Sequence, residues 1–306
     1  MKLLVTGASG FIGRNVLLRA PKDWEIVALY NRTATLDAFV TGNRLSNVRP
    51  VQCNLLDEGA VRRLARSIGR KPDAMLYLAA NGDPAASSES PRWDLESNTV
   101  ALVTCLEHCP AAHVVYVSSG AVYDGLKGAV TPATSVSPLL PYAISKLASE
   151  RYLTFFAEHR HAVGSYFNVR FFGAYGPYEA ARKITTKWLK AMAEGQREFT
   201  VRGDGENLID FMYVDDAVDG FLALVGARGQ SGTVDFASGA PVSVNAVVES
   251  MAKVLGATVT VKHEGSVPEY IQFQSADSTM RDRFGIKPSV SFEDGLTRLA
   301  AFLKKA

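Results

Sequence analysis

The chain has 306 residues, of which 47% are hydrophobic and 21% are charged, a composition that predicts a globular protein with a large core. Its 33 basic and 31 acidic residues are spread along the chain and leave a formal charge of +2, with no basic run of the kind that binds nucleic acid. No stretch approaches the length of a membrane span, and the start "MKLLVTG" is too short for a signal sequence. We therefore expect a cytoplasmic protein with small-molecule partners and no nucleic acid or membrane partner.

In chain order, short apolar runs alternate with longer stretches of helical period. The runs are "KLLVT", "EIVALY", "VRPVQC", "AMLYLA", "HVVYVSS" and "YFNVRFF", and the helical stretches lie near 11 to 20, 57 to 68, 93 to 109 and 142 to 159. Such alternation predicts an α/β fold, a Rossmann-type doubly wound parallel sheet with helices on both faces.

The first turn, "TGASGFIG", puts Gly7, Gly10 and Gly13 between a predicted strand and a predicted helix. The first glycine permits a tight turn, the second lets a pyrophosphate approach the backbone, and the third lets the helix pack closely on the strand. This motif predicts a dinucleotide site, and a purely structural turn is the alternative. The other cofactor contacts expected in this turn are Ser9, Phe11 and Ile12.

The end of the second predicted strand bears on which dinucleotide binds. An NAD site usually has Asp or Glu here for the ribose 2′-hydroxyl, whereas "IVALYNR" ends in Tyr30, Asn31 and Arg32. The Arg32 guanidinium, helped by Arg14, suits a 2′-phosphate, and no carboxylate stands at this strand end to repel it. We therefore expect NADP in preference to NAD, with Asn31 and Arg32 as contacts. A solvated surface arginine is the alternative.

The three cysteines, Cys53, Cys105 and Cys109, are an odd number without dense spacing, which indicates a reducing compartment and no disulfide framework. The run "CLEHC" places two of the thiols on one helix face beside His108. Because no second ligand cluster completes a four-coordinate site, we interpret the run as a structural helix face and expect no metal. Metal binding is the alternative.

The run "PYAISK", residues 141 to 146, places Tyr142 four residues before Lys146, so that both side chains lie on one helix face. A lysine ammonium favours the phenolate form of a nearby tyrosine and lowers its pKa. The pair therefore predicts a tyrosine that works as an acid or base near neutral pH. The alternative is an amphipathic helix that happens to carry both residues.

"TGASGFIG" and "PYAISK" together resemble the short-chain dehydrogenase/reductase superfamily, in its extended branch of NAD(P)-dependent epimerases, dehydratases and sugar reductases. The resemblance continues through "SNTV", "YVSSGAVYD", "VRFFGAYGP", "GDGENLIDFMYVDDAV" and "KPSVSFEDGL" and covers nearly the whole chain. It implies a dinucleotide-binding domain over residues 1–173 and about 211–239, and a smaller C-terminal α/β substrate domain over 174–210 and about 240–306. It also implies a possible homodimer through the helices near 93 to 109 and 142 to 159.

The resemblance implies a catalytic set as well. Tyr142 exchanges a proton with a substrate hydroxyl or carbonyl while the nicotinamide exchanges a hydride with the same carbon. Lys146 holds the nicotinamide ribose, and Ser119 hydrogen-bonds the reacting oxygen. The 4,6-dehydratases of the family carry acids at the next two positions, where this chain has Gly120 and Ala121. We therefore do not expect 4,6-dehydration.

Further contacts follow from the resemblance, position by position. For the cofactor they are Asn54 and Leu55, near the adenine, and Ala79 and Ala80, where the backbone passes the cofactor. Asn98 is interpreted as a residue that orients neighbouring backbone. For the substrate they are Ser118, Gly173, Arg182, Lys183 and Arg202.

The chain departs from the family where nucleotide-sugar enzymes bind a diphosphate. Those enzymes commonly use an Asn after the sixth strand and an Arg ahead of the "DF" pair, whereas this chain has Gly173 and Ile209. A late arginine is also absent from "VPEYIQFQSAD", where Tyr270 and Gln272 stand. Arg182, Lys183 and Arg202 are the candidate replacements, and solvated surface charges are the alternative.

These observations predict an oxidoreductase or epimerase that moves a hydride to or from a carbinol or ketone carbon, most simply of a nucleotide-linked sugar. The expected NADP slightly favours NADPH-dependent reduction of a 4-keto sugar. An NAD-dependent nucleotide-sugar 4-epimerase is the alternative within the enzyme class. A non-catalytic dinucleotide-sensing protein is the alternative of another class, although a sensor has no need of a poised tyrosine.

Overall fold

The computed structural model describes residues 1–33, 35–266 and 272–305, so that Tyr270 lies outside the described residues. The strands are β1 (Lys2–Thr6), β2 (Glu25–Tyr30), β3 (Val48–Gln52), β4 (Ala74–Tyr77), β5 (His113–Ser119), β6 (Lys127–Val130), β7 (Ser165–Phe171), β8 (Ala174–Tyr175), β9 (Glu198–Arg202), β10 (Leu208–Ile209), β11 (Met212–Tyr213), β12 (Gly232–Phe236), β13 (Val242–Ser243), β14 (Thr260–Glu264) and β15 (Gln272–Ser275).

The helices alternate with these strands through the first half of the chain. They are α1 (Phe11–Arg19), α2 (Leu36–Gly42), α3 (Glu58–Ile68), α4 (Pro84–Glu89), α5 (Pro91–Leu95), a π turn (Glu96–Val100), α6 (Ala101–His108), a 3₁₀ turn (Gly120–Tyr123), α7 (Pro141–Glu158), α8 (Ile184–Ala193), α9 (Val214–Gly226), α10 (Val244–Leu255), α11 (Thr279–Phe284) and α12 (Phe292–Leu303). No helix among the described residues combines the length and the apolar character that crossing a membrane requires.

Seven strands form one central sheet in the order β12-β7-β5-β4-β1-β2-β3, and every neighbouring pair is parallel. The order 3-2-1-4-5 is that of a Rossmann-type sheet, and the α/β fold class predicted from the sequence is confirmed. The shorter strands form two-stranded pairs, of which β6 with β15 and β9 with β14 join distant parts of the chain. The division into two domains stays a prediction.

The core lies on both faces of the central sheet because successive residues of a strand point to opposite sides. Leu3 and Val5 of β1 pack in a cluster with residues of α1 and α9, whereas Leu4 packs in a second cluster with residues of α3, α6 and α7. All three side chains are fully buried. This burial on both faces explains why the sequences of the strands are continuous apolar runs.

The predicted helix near 93 to 109 is a composite of α5, the π turn and α6. Cys105 and Cys109 at its end are buried, and burial raises the pKa of the Cys109 thiol to about 11. Within the described ranges, no three His, Cys, Asp or Glu side chains come together in a group that could hold a metal ion. The two thiols therefore pack as small apolar groups, and burial keeps them protonated.

A buried ion pair ties helix α7 to the central sheet. Glu150 of α7 and Arg170 of β7 are each about 4% exposed, and their closest charged atoms are 2.9 Å apart. Glu150 also accepts a hydrogen bond from Ser118 at 2.6 Å, and Arg170 donates to the Tyr123 hydroxyl at 3.0 Å. Both charges are thus fully partnered inside the protein, as buried charges must be.

Replacing Glu150 by glutamine should strongly destabilise the fold, because it leaves the Arg170 charge buried without a counter-ion. We expect the free energy of unfolding, measured by urea denaturation, to fall by about 3–5 kcal/mol. The control is Glu293→Gln, which removes an exposed ion pair with Lys253, 2.6 Å long, and should cost less than ~1 kcal/mol. Equal losses in the two variants would contradict a stabilising role of the buried pair.

Candidate active site

The glycine turn lies at the carboxyl edge of the central sheet, between β1 and α1. Gly7 has a φ of +64°, which favours glycine, and a side chain there would place its Cβ 2.9 Å from the backbone nitrogen of Ala79. At Gly13 the Cβ would lie 2.5 Å from the Gly7 carbonyl oxygen. Only glycine fits at either position, and the turn therefore presents bare backbone to the cleft.

The residues of this turn fit a dinucleotide pyrophosphate. Helix α1 begins after Gly10, and no side chain caps its first N–H groups. These groups, on Phe11 and Ile12, are available to an anion at the positive end of the helix dipole. The backbone of Ser9 also belongs to this loop, where its carbonyl accepts a hydrogen bond from Arg14 Nε at 3.0 Å.

The predicted catalytic residues Ser119, Tyr142 and Lys146 come together at the same edge. Ser119 is the last residue of β5, and the two others lie in the first two turns of α7. The Ser119 hydroxyl lies beside the Tyr142 phenol, close enough to influence its pKa, and Ser119 Oγ accepts the backbone N–H of Ala121 at 3.1 Å. A serine hydroxyl and a phenol thus share one site, where a substrate oxygen would meet both.

Lys146 is held in place by contacts with strand β5. Its ammonium donates a hydrogen bond of 2.7 Å to the Val117 carbonyl and lies 4.8 Å from the centre of the Tyr116 ring. Burial lowers the pKa of Lys146 to about 8, while the charges of Glu150 and Asp94 act in the opposite direction. The ammonium is therefore charged at neutral pH but close to the point where it loses its proton.

The expectation that Lys146 lowers the pKa of Tyr142 is not met. Burial raises the pKa of Tyr142, the neighbouring Ser119 hydroxyl opposes that shift, and the charge of Asp94 adds to it. The physical reason for the raised pKa is that burial makes the largest contribution, and the phenol therefore remains protonated at neutral pH.

A fully buried carboxylate, Asp94 of α5, joins the segments around the catalytic helix. It accepts hydrogen bonds from Ser145 Oγ at 2.6 Å, from Asn81 Nδ2 at 2.7 Å and from Asn98 Nδ2 at 2.9 Å. Asn98 lies in the π turn, and its side-chain amide oxygen Oδ1 accepts the backbone N–H of Asn81 at 2.7 Å. Asn98 therefore orients neighbouring backbone, as interpreted from the sequence, and π turns often occur at such functional sites.

The remaining cofactor candidates line the ends of the neighbouring strands. Ala79 donates its backbone N–H to Thr6 Oγ1 at 3.0 Å, and Ala80 follows it in exposed backbone. The Asn54 side chain is exposed and accepts the backbone N–H of Leu56 at 3.1 Å. Leu55 is buried in the core. The Leu55 side chain is therefore not available to a ligand.

The polar side chains around the end of β2 differ in whether they already have partners. Asn31 and Arg32 are exposed, whereas the Arg14 side chain is engaged: it donates to Thr35 Oγ1 at 2.7 Å and lies against the rings of Phe39 and Tyr178. Arg14 is therefore not free to help Arg32 bind a phosphate.

Of the five predicted substrate residues, Ser118 is placed differently from the expectation. The Ser118 hydroxyl is buried and donates to Glu150, because Ser118 faces α7, whereas the next residue, Ser119, faces the cleft. Gly173 lies where β7 runs into β8, and a Cβ there would be 3.0 Å from the Asp210 carbonyl oxygen. Both residues have structural surroundings that the sequence pattern alone does not reveal.

Arg182 is brought to the edge of the catalytic site, while Lys183, the N-cap residue of α8, and Arg202, the last residue of β9, are exposed. Arg182 forms an ion pair of 3.0 Å with Asp83, which caps the N-terminus of α4. In α4, Ser87 Oγ accepts the backbone N–H of Tyr142 at 3.1 Å. A short chain of contacts thus connects Arg182 with the start of the catalytic helix.

Sequence reasoning missed several polar residues of this region. Asp94 is flanked by Trp93 and Leu95 in a short helix, and its only signal is an amide, Asn98, four residues later on the same face. Asn81 and Asp83 follow β4 directly and stand at the sheet edge where ligands bind. The position of the "NGDP" run directly after β4 is therefore a usable signal of a functional segment.

The fold and this cluster define a dinucleotide-binding α/β protein with a Ser-Tyr-Lys set at the carboxyl edge of its sheet. The chain belongs to the NAD dependent epimerase/dehydratase family, whose sequence profile matches residues 3–235. The predicted resemblance to extended short-chain dehydrogenases/reductases is thereby confirmed.

Individual relatives match the chain over nearly its whole length. A Bacillus subtilis protein described as the uncharacterized UDP-glucose epimerase YtcB is 27% identical, over 99% of this chain and 98% of its own. The solved structure of MoeE5 with UDP-glucose and NAD is 25% identical, with a TM-score of 0.84, and covers 100% of this chain and 99% of its own. The UDP-glucuronic acid 4-epimerase of Bacillus cereus with UDP-glucuronic acid and NAD has the same identity and coverage and a TM-score of 0.86.

The expected preference for NADP is wrong, since both of these structural neighbours hold NAD. The physical reason lies at the end of β2. Arg14 is committed to Thr35 and two aromatic rings, which leaves Arg32 as a single exposed guanidinium. A carboxylate that the sequence pattern did not reveal, Asp37, also reaches this edge, where it accepts the Tyr30 hydroxyl at 2.9 Å.

The lowered pKa of Lys146 predicts a pH dependence of dinucleotide binding. The ammonium is present below about pH 8 and is lost above it, so we expect NADH affinity, measured by fluorescence titration from pH 6 to 10, to fall as the pH passes 8. The variant Lys146→Met should bind more weakly at low pH and show no such step. A wild-type affinity that stays constant to pH 10 would contradict the shifted pKa or the contact with the cofactor.

Proposed function

We propose that this protein is an NAD-dependent nucleotide-sugar 4-epimerase that acts on a UDP-sugar. The observation that carries the proposal is the convergence of Ser119, Tyr142 and Lys146 beside the glycine turn. Relatives whose descriptions name UDP-sugar epimerases match over nearly the full chain, which supports the substrate class. NADPH-dependent reduction of a keto sugar has no comparable support.

The proposed reaction needs one proton carrier that works in both directions. The glycine turn would hold NAD, which would supply an acceptor for the C4 hydride of the sugar and a donor that returns it to the opposite face of the ring. Tyr142 takes the proton of the C4 hydroxyl and later gives it back, while Ser119 holds the same oxygen. The raised pKa of Tyr142 keeps the phenol protonated until a substrate hydroxyl and the cofactor charge change its surroundings. Lys146, held by the Val117 carbonyl, supplies a positive charge at the site.

Arg182 is our candidate for contact with the anionic part of the substrate. A carboxylate already lies at the N-terminus of α8: Thr185 and Thr186 donate their hydroxyls to Glu179 at 2.5 and 2.6 Å. That helix end therefore offers less to a diphosphate. Arg182 is 56% exposed and paired with a carboxylate that an incoming anion can replace.

The hypotheses of a dehydratase and of a dinucleotide sensor are less consistent with the site. The two residues after Ser119 are Gly120 and Ala121, which cannot transfer protons, although the family as a whole includes dehydratases. A dinucleotide sensor would not need a hydroxyl, a phenol and an ammonium in one cluster. The geometry supports epimerisation better than either.

We also propose a homodimer in which two copies pair through α7 and the segment from α5 to the π turn. This surface exposes large apolar side chains at helical spacing, with more than 40% of each accessible. They are Trp93, Val100, Ile144, Tyr152 and Phe155. The residues on α7 recur on one stripe of the helix, and exposed apolar stripes of this kind are typical of subunit interfaces.

Purified protein should interconvert UDP-glucose and UDP-galactose without consuming added NADPH. Chromatography of the nucleotide sugars measures the rate, and UDP-glucuronic acid is the second substrate to try. Tyr142→Phe should lower kcat by roughly 10² to 10⁴-fold, because proton transfer by a placed side chain contributes that much. NADH affinity should be unchanged.

The matched control is Tyr152→Phe on the same helix, whose phenol is 47% exposed and away from the cluster. It should keep the wild-type rate. Oxidation of NADPH by a 4-keto sugar, with no epimerisation of either UDP-sugar, would refute the epimerase proposal. Full activity of Tyr142→Phe would remove the proposed role of the tyrosine.

Tyr152→Asp should convert a wild-type dimer into a monomer, because it places a charge at the centre of the apolar stripe. Sedimentation velocity measures the change. The control is Leu208→Asp, since Leu208 is 43% exposed on β10, away from α7. A monomeric wild type, or a dimer that both variants leave intact, would contradict this interface.

A further inference from the structure

A carboxylate stands near the end of β2 although none occurs in the strand-end sequence. β2 ends at Tyr30, α2 begins at Leu36, and Asp37 lies in the first turn of α2. The Tyr30 hydroxyl donates a hydrogen bond of 2.9 Å to Asp37 Oδ2. The chain therefore leaves the sheet and returns, so that an acid seven residues later reaches the side chain of the strand's last residue.

This edge is where the adenosine ribose of a dinucleotide lies in folds of this kind. The glycine turn is tied to the same strand, because the backbone N–H of Ala8 donates to the Leu29 carbonyl at 2.9 Å. Arg14 of α1 is tied to Thr35, two residues before Asp37, at 2.7 Å. The phosphate-binding turn and the Asp37 segment are thus held in one frame around the end of β2.

One oxygen of the Asp37 carboxylate accepts a hydrogen bond, and the other accepts none from the described residues. Oδ2 accepts the Tyr30 hydroxyl, and Oδ1 has no hydrogen-bond partner within residues 1–33, 35–266 and 272–305. The hydrogen bond to Asp37 raises the pKa of Tyr30, so the phenol remains a donor and keeps the carboxylate in place. A ribose hydroxyl is a donor that suits the second oxygen.

We propose that Asp37, positioned by Tyr30, takes the part of the strand-end acid: it accepts a hydrogen bond from the adenosine 2′-hydroxyl of NAD and repels the 2′-phosphate of NADP. The inference rests on the proposed NAD-dependent function and names the residue that sets its cofactor choice. Arg32 lies at the same edge, exposed, and its single charge is offset by that of Asp37.

The test is titration of the full-length protein, freed of copurified dinucleotide, with NADH and with NADPH. Wild type should prefer NADH. Asp37→Asn keeps the shape and the hydrogen bond from Tyr30 but removes the charge, so NADPH affinity should rise roughly five- to twentyfold, given a phosphate of up to two charges nearby. NADH affinity should fall about twofold to tenfold, because a charged acceptor is replaced by a neutral one.

Tyr30→Phe separates position from charge. It leaves the Asp37 charge but removes its anchor, so NADH affinity should fall about twofold to tenfold while NADPH stays weakly bound. The matched control is Glu58→Gln, an exposed acid in the first turn of α3, which should change neither affinity. Melting temperatures of all variants should match the wild type, because the altered groups are at the surface.

Two results would overturn the inference: a wild type that binds NADPH as well as NADH, or an Asp37→Asn variant whose ratio of the two affinities stays within about twofold of wild type, against the larger charge effect. These titrations need no sugar substrate. A missing epimerase activity with the expected shift in Asp37→Asn would therefore reject only the proposed substrate reaction, and the reverse pattern would reject only the role of Asp37.

Discussion

Helix α7 buries polar side chains against the sheet, and this constraint shapes the rest of the site. Ser145, Lys146, Ser149 and Glu150 are each at most 3% exposed, although a buried helix face is normally apolar. A polar group without a partner costs free energy when it is buried, so every one of them requires a hydrogen bond or a counter-ion from a neighbouring element. The surrounding strands and helices supply these partners, and in doing so they hold α7 at a defined place on the sheet.

The catalytic geometry follows from those partners. The pair of Glu150 with Arg170 anchors the middle of the helix to β7, the Val117 carbonyl holds Lys146, and Asp94 holds Ser145. The first turn of α7 is thereby set against the end of β5, which brings a phenol and a serine hydroxyl from distant parts of the chain into one site. The same burial lowers the pKa of the lysine and raises that of the tyrosine, so position and protonation have one cause.

At the end of β2, the local sequence alone predicts the wrong electrostatic environment for the cofactor. A strand that ends in Tyr30, Asn31 and Arg32 has no acid, and on that pattern alone a 2′-phosphate is acceptable. In the folded chain, Tyr30 binds the carboxylate of Asp37, and Arg14 packs between aromatic rings. Both corrections depend on where a loop and a helix return in space. Electrostatics at a binding site is a sum over neighbours, and neighbours in space are not neighbours in sequence.

The sequence by itself determined whatever depends on local rules. Strands β1 to β5 and β7, the glycine turn and the shared face of Tyr142 and Lys146 follow from periodicity and from backbone freedom. Only the tertiary structure decided which groups meet across long separations: Asp94 with Ser145, Ser118 with Glu150 and Asp37 with Tyr30. The reason is that a buried polar group is defined by its partners. No periodic pattern records partners that folding brings together from different strands and helices.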